Sequence, residues 1–373
     1  MDALTTPSNW QKVRLGDIGK PCMCKRVMKH QTTRYGEIPF YKIGTFGNTA
    51  DAFISKKLFL EYKTKYSFPK KGDILISASG TIGRAVIYDG KPAYFQDSNI
   101  VWIDNDETLV KNDFLFYAYS NIKWNTEHTT ILRLYNDNFR NTLIPLPPLN
   151  EQIAIANILS DVDHYLYSLD ALILKKESVK KALSFELLSQ RKRLKGFNQA
   201  WQKVRLGDIA NYLTSNLSAE QITQQGKIKV YDVNNFIGYT NTTFISDKPY
   251  ISIVKDGSVG RVRILPPKTN ILSTMGALVA NHKTTTEFLF YLLSNFDFKN
   301  FTSGSIIPHI YFKDYKKKTI FLPPLNEQIA IANILSDVDH EIISLKNKKR
   351  QFDNIKKALN HDLMSAKIRV LKE

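Results

Sequence analysis

The stretch LPPLNEQIAIANILSDVDH occupies residues 146–164 and returns letter for letter at residues 322–340. A repeat this long outranks local signals, because each copy must then fold as the same unit. Working outward, WQKVRLGDI at residues 10–18 recurs unchanged at residues 201–209. Lys180-Lys181-Ala182-Leu183 returns as Lys356-Lys357-Ala358-Leu359, at the same offset of 176 as the nineteen-residue block. Between these anchors the copies diverge. Ser79-Gly80-Thr81-Ile82-Gly83-Arg84 lines up with Asp256-Gly257-Ser258-Val259-Gly260-Arg261, and Ile38-Pro39-Phe40-Tyr41 weakly with Ile228-Lys229-Val230-Tyr231. The shrinking offset puts the extra residues of the first copy within residues 48–68. Two units are too few for a solenoid, so the pattern predicts a pseudo-twofold internal repeat with alike edges and unlike middles.

The repeated block reads as the start of a long helix. Pro147-Pro148 cannot continue a helix from upstream. Asn150 offers an N-cap side chain, and Glu151 complements the helix dipole. Apolar residues follow at Ile155, Leu159, Val162, Leu166, Leu169 and Ile173, alternating by four and three, which is a heptad seam. The seam weakens at Lys176 and Lys180 and resumes at Leu183 and Leu187. The second copy gives Ile331, Leu335, Val338, Ile342 and Leu345, weakens at Lys349, and resumes at Phe352, Leu359 and Leu363. Each helix can run for about 40 residues, or about 60 Å. A lone helix with one apolar stripe must bury it, and the nearest partner is the other copy, packed antiparallel. The middles read as mixed α/β, with short β-rich runs at residues 73–77, 85–88 and 99–103 and aromatic-rich helix candidates at 113–120 and 287–294. The predicted fold class is α+β: two mixed α/β domains separated by two long antiparallel, coiled-coil helices. The predicted boundaries are residues 1–145, 146–196, 197–321 and 322–373.

The chain has 373 residues, a formal charge of +17, 43% hydrophobic and 23% charged residues. That balance excludes wholesale disorder, and the excess charge favours a polyanionic partner. No apolar run is long enough to cross a bilayer, and residues 1–8 lack the basic and apolar regions of a signal peptide. The two cysteines, Cys22 and Cys24, cannot make a disulfide framework, so a reducing, cytoplasmic setting is the simplest.

The order of variable region, PPLNEQ-led helix, variable region and PPLNEQ-led helix, each variable part opened by WxxVxLGDI, resembles the specificity (S) subunit of bacterial type I restriction–modification systems. The resemblance covers essentially the whole chain. It implies two target-recognition domains, each reading one half of a bipartite DNA target, and two helices that space them and dock two methyltransferase (M) subunits. Endonuclease/translocase (R) subunits would join through those. It further implies no catalysis by this chain, with S-adenosylmethionine, ATP and Mg held by partners. The basic charge also fits an anionic membrane surface, but the narrow apolar seams suit helix partners better, so no membrane contact is expected. The residues agree with that division of labour. The Pro-Pro-Leu tripeptides are preceded by Leu146 and Leu322, and so lack the Asn/Asp and aromatic that hold a flipped adenine. No GxxxxGK[ST] is present for ATP. Identical edges suit docking of the same partner twice; different middles suit an asymmetric, interrupted target.

The leading candidates for DNA contact are Ser79, Gly80, Thr81 and Arg84 in the first copy and Gly257, Ser258 and Arg261 in the second. Glycine lets backbone amides approach phosphate, and Arg supplies charge or a bidentate grip on guanine. Lys25, Arg26, Lys29 and Arg34, beside His30, Gln31 and Tyr35, suit phosphate positioning. Gln96 and Asn99 suit adenine edges, or equally a capped turn. Arg133 and Tyr135 line up with His309 and Tyr311, and the resemblance places that stretch toward DNA. Asn234, Asn235, Arg263, Ser303, Ser305 and Lys313 complete the second set. The basic stretch at residues 190–195 is accounted for by the helix dipole. Three look-alikes compete. Asp51 with Glu61-Tyr62-Lys63 imitates a nuclease metal site, Asp161 with His164 imitates metal ligands, and Cys22-Met23-Cys24 imitates a thiol pair. The alternative functions are accordingly a stand-alone DNA-binding nuclease, or a coiled-coil scaffold with no DNA role.

Overall fold

Each WQKVR anchor becomes a strand that ties the start of a variable region to its end. In a computed structural model, which describes residues 9–128 and 132–370, Gln11–Arg14 pairs antiparallel with Leu143–Leu146 and Gln202–Arg205 with Thr319–Leu322. Trp10, Leu15 and Ile18, like Trp201, Leu206 and Ile209, are buried beneath that pairing. The glycine of LGDI sits in a tight approach there. A Cβ on Gly16 or Gly207 would come within 3.3 Å of the Arg140 or Lys316 carbonyl oxygen.

The chain divides into two compact units. One takes the chain up to Leu169 and again from Lys348; the other is Asp170–Asn347. Each holds a four-stranded antiparallel sheet and a smaller three-stranded sheet. In the first unit the strand orders are Gly19–Met23, Ile100–Asn105, Ile74–Ser77, Ala85–Ile87 and Ala52–Ile54, Ile38–Tyr41, Tyr94–Phe95. The second repeats them as Ala210–Thr214, Met275–Ala280, Tyr250–Val254, Val262–Leu265 and Phe236–Thr240, Ile228–Tyr231, Asn270–Ile271. The aromatic-rich helices are Asn112–Tyr119 and Thr286–Ser294. The surplus residues of the first copy carry the helix Lys56–Lys65, capped by Ser55 and anchored by buried Phe59. Buried Cys24 lies in the core of this region, and burial pushes its thiol up to about 12, as for an inert packing residue.

The long helices run Leu149–Leu188 and Leu325–Met364. Leu149 precedes the Asn150 anticipated as cap, because the Pro148 carbonyl already accepts from Gln152 N; Asn150 Oδ1 instead accepts from Glu151 N within the first turn. The seam is buried at Ile155, Leu159, Leu166, Leu169, Ile173, Ile331, Leu335 and Ile342, and half-buried at Val162, Val338 and Leu345. Its first members do not face the other helix alone. Ile155 and Leu159 share one core with Trp10, Phe114 and Leu363, while Ile331 and Leu335 share another with Trp201, Phe288 and Leu187.

Each unit thus uses the start of one long helix and the end of the other, packed antiparallel. In the first, Tyr165 meets Phe352 with ring centroids 4.6 Å apart. In the second, Lys180 Nζ lies 2.5 Å from Asp339, Lys176 2.5 Å from Glu341 and Lys346 2.6 Å from Glu177. Lys176 and Lys180, which weaken the seam, are therefore register devices. Lys180 grips Asp339, which also accepts the Tyr291 hydroxyl at 2.9 Å. The first unit reproduces this with Lys356, Asp163 and Tyr117. Burial and the carboxylate neighbour raise both phenols well above their ordinary range.

A second reciprocal device lies at the head of each helix. Glu151, buried, accepts from Trp10 Nε1 at 3.0 Å and from Arg369 through two nitrogens at 2.8 and 3.2 Å. Glu327 accepts from Trp201 Nε1 at 3.0 Å and Arg193 at 3.1 and 2.6 Å. Arg193 in the basic stretch thus answers a buried carboxylate, a role beyond complementing the helix dipole. Gln152 completes the motif: its amide donates to the Pro147 and Leu109 carbonyls and accepts from Lys111 N. Gln328 does the same with Pro323, Lys283 and Thr285. Among the described residues no helix is long and apolar enough to cross a membrane.

Candidate nucleic-acid interface

The Gly-rich segments are the hairpins that join two strands of each larger sheet. Gly80 and Gly83 have φ of +67° and +83°; Gly257 and Gly260 have +81° and +79°. A Cβ on Gly80 or Gly257 would meet nothing within 4 Å, so this side of both turns is open. Gly83 and Gly260 are closed from below, by Trp124 and Phe298 respectively. Ser77 fixes the first turn by donating to the Thr81 carbonyl and accepting from Arg84 N.

Beside each hairpin runs the segment that precedes the long helix. Ser79 bridges to Arg133 and Asp256 to His309. Leu134 N donates to the Ala78 carbonyl and Ile310 N to the Lys255 carbonyl, each at 2.9 Å. The structure therefore brings together two stretches that lie about 50 residues apart in sequence, on the same backbone in both units but with different side chains. Arg133 is exposed where the second unit has His309, whose Nδ1 lies 2.6 Å from Asp256 Oδ1. Tyr135 and Tyr311 are both exposed, and Lys313 Nζ sits over the Tyr311 ring, 5.3 Å from its centroid.

The hairpin arginines have partners. Arg84 Nη1 donates to the Phe46 carbonyl at 2.9 Å and Arg261 Nη2 to Asn234 Oδ1 at 2.7 Å. Both partners lie in the loop after the equivalent strand of the smaller sheet, so each Arg ties the two sheets of its unit together while remaining exposed. Arg263 joins the second set, donating to the Asn234 carbonyl at 2.9 Å and stacking over Tyr231. Asn234 and Asn235 form a turn on Asp232, their amides donating to its carboxylate at 2.8 and 2.6 Å. Ser258, Ser303 and Ser305 are exposed beside them or on the neighbouring hairpin.

In the first unit, Asn99 Oδ1 accepts from Ser79 Oγ at 2.7 Å, and Gln96 Oε1 accepts from Ile43 N at 2.9 Å. Both oxygens are thus engaged in holding a turn, the second of the two readings open for these residues. Arg26 pairs with Asp97 at 2.8 Å, which links the basic stretch to that turn. Lys25 covers the Tyr66 ring at 5.0 Å. Lys29 and Arg34 are exposed and make no ion pair among the described residues. Gln31 Nε2 bonds the Tyr62 hydroxyl, so the extra helix supports this basic segment.

The nuclease look-alike does not assemble. Asp51 pairs with Lys42 at 2.8 Å and Glu61 with Lys65 at 3.1 Å, so each carboxylate has its own surface cation. No group of three or more His, Cys, Asp or Glu able to hold a metal occurs among the described residues. Asp161 and His164 are exposed, and it is Asp163 that turns inward.

Sequence reasoning missed the Trp–Glu–Arg and Tyr–Asp–Lys groups. A signal was there: Arg193 and Arg369, like Lys180 and Lys356, stand 176 apart, the offset of the helices themselves.

A model of the type I restriction modification DNA specificity domain matches residues 7–176 and 198–352. A putative type I restriction enzyme specificity subunit of Haemophilus influenzae is 64% identical over 148 residues, which cover 39% of this chain and 38% of that protein. A putative type I restriction enzyme specificity subunit of Methanocaldococcus jannaschii is 28% identical over 98% of this chain and 95% of its own length. The crystal structure of an S subunit from M. genitalium superposes with a TM-score of 0.63 at 20% identity, covering 97% of this chain and 98% of that one.

Proposed function

This chain belongs to the type I restriction modification DNA specificity domain family, and from that premise we propose that each of its two units reads one half of an interrupted, asymmetric duplex DNA target. The observation that carries this is the duplicated interface. One backbone arrangement, an open Gly hairpin beside a Tyr-bearing segment, is kept in both units, while the side chains on it change: exposed Arg133 becomes half-buried His309, and Ser79, buried against Asn99, becomes half-buried Asp256. A shared mount with exchanged reading groups suits two different half-sites. The backbone amide at Gly80, with Lys29, Arg34 and Lys313, would hold phosphates; Arg133, His309 and the Asn234–Asn235 turn would face base edges.

The chain would leave chemistry to partners. Two methyltransferase subunits would carry S-adenosylmethionine, and endonuclease/translocase subunits ATP and Mg. Leu149, Ile153, Asn157, Asp161 and His164 form one exposed helical face, and Leu325, Ile329, Asn333, Asp337 and His340 repeat it without change. The inward residues of the repeated block are already engaged with their own unit. Identity on the outward face therefore supports docking of one partner twice, and the two long helices would set the spacing of the half-sites.

The test is to replace Arg133 in one variant and Lys313 in another by Ala, and to measure binding to targets altered in either half. Arg133→Ala should relax discrimination in one half by about 1–3 kcal/mol. Lys313→Ala should weaken binding and lower the salt slope by about one. Loss confined to the same half in both variants, or binding insensitive to salt, contradicts the proposal.

A further inference from the structure

The apex of one hairpin in the second unit has no role in the fold or in hydrogen-bonded reading. Thr302–Ser303 pairs with His309–Ile310, and between them Ile306 is 91% exposed and Ile307 55%. Ile306 is the most exposed large hydrophobic side chain among the described residues. Such exposure on a well-held turn requires an explanation, because it gives up apolar burial without any packing in return.

The apex is shaped and braced. Gly304 has φ +91°, and a Cβ there would lie 2.4 Å from the Ile307 carbonyl oxygen, so the turn is tight. Its base is fastened to the Gly hairpin. Gly257 N donates to the Pro308 carbonyl at 2.9 Å, Ile310 N to the Lys255 carbonyl at 2.9 Å, and His309 pairs with Asp256. Ser303, Ser305, Tyr311 and Lys313 surround it, all exposed. Lys299 and residues 316–318, all lysine, add cations close by in sequence, against Asp297 and Asp314.

We propose that Ile306, backed by Ile307, is a wedge that enters a base step of the DNA half-site bound by the second unit, partly unstacking it and bending the duplex. This rests on the DNA-recognition reading above. Aliphatic side chains on a narrow projection, flanked in sequence by lysines and hydroxyl residues, suit a stacked base step better than a protein surface, which would need a broader apolar patch. Bracing by the Gly hairpin means that insertion orders little that is not already ordered. At the offset of 176, Ile306 and Ile307 align with Thr130 and Ile131 of the first copy, which lie outside the described residues, and the Thr in place of Ile306 sets the wedge apart as a property of one half-site.

The test uses the full chain with its cognate methyltransferase and its mapped target, carrying 2-aminopurine at each step of the half-site in turn. Unstacking raises the fluorescence of this base. The intact chain should give a rise at one step that is lost in the double variant Ile306→Ser/Ile307→Ser and retained in Ile306→Met. A rise caused by base extrusion into the methyltransferase would persist in the double variant. Specific, salt-dependent binding with no wedge-dependent rise overturns the wedge alone. Failure to bind any interrupted target specifically overturns the recognition reading and the wedge with it. Both isoleucines are exposed, so the fold should survive, which an unchanged melting profile verifies.

Discussion

Replacing Arg369 by Ala should loosen the first unit and leave the second intact. Arg369 makes a two-nitrogen contact with Glu151, whose side chain is only 3% exposed and whose one further hydrogen-bonding side chain is Trp10. Removing one partner of a buried pair costs about 3–5 kcal/mol, because the remaining carboxylate is stranded in a poor solvent. Arg369 itself is 27% exposed, so water can reach part of the vacated site, and the lower end, about 3 kcal/mol, applies. For a unit of roughly 200 residues, at about 2–4 °C per kcal/mol, the midpoint should fall by about 6–12 °C. Calorimetry reads the shift, and hydrogen exchange reads its place: protection should drop around Gln11–Arg14 and Leu143–Leu146 but not around Gln202–Arg205. The second variant, Glu151→Gln with Arg369→Met, removes both charges and keeps an oxygen for the Trp10 indole, so most of the loss should be recovered. A fall below about 2 °C for Arg369→Ala, or loosening of the second unit, would refute the reasoning. Arg193→Ala should reproduce the effect in the other unit, through Glu327.

Three further outcomes follow from the same contacts. Gly83→Ala should cost more than Gly80→Ala, because a Cβ on Gly83 would lie 2.1 Å from Trp124 Nε1 whereas Gly80 faces open space; urea unfolding of both variants checks this. Stability should fall on the alkaline side. The raised Tyr117 and Tyr291 phenols contribute fully below their ordinary value of 10.0, and the contribution disappears as pH climbs through their higher folded values, so Tyr117→Phe should flatten the loss in melts above pH 10. Lys180→Glu should weaken the helix pairing by setting like charges against Asp339, and Asp339→Lys in the same chain should restore it, as read by the melting of the second unit.

The architecture was legible because its signal is duplication. Two identical edge motifs and a four–three apolar alternation dictate two alike units and two long helices. The roles within the edge motifs were less legible. Trp10, Glu151 and Arg369 are far apart in sequence, and only the closing strand pair and the antiparallel helix place them together. The lysines at 176 and 180 read as a failing seam, since a sequence shows the loss of an apolar residue but not the carboxylate opposite. At the interface, the Gly hairpins and the Tyr-bearing segments could be picked out because they recur. That Arg84 and Arg261 also clasp the neighbouring sheet could not, since Phe46 offers a backbone carbonyl and Asn234 lies in a dissimilar loop. The wedge escaped because an isoleucine pair reads as core until its exposure is known.

The central claim is that this chain chooses the sequence on which partner subunits act. Mapping methylated bases across the host genome by single-molecule sequencing, with the gene intact and deleted, tests it most directly. The account predicts loss of one interrupted, asymmetric motif on deletion and its return on complementation. An unchanged methylome, with the partner methyltransferase shown to be expressed, would contradict it.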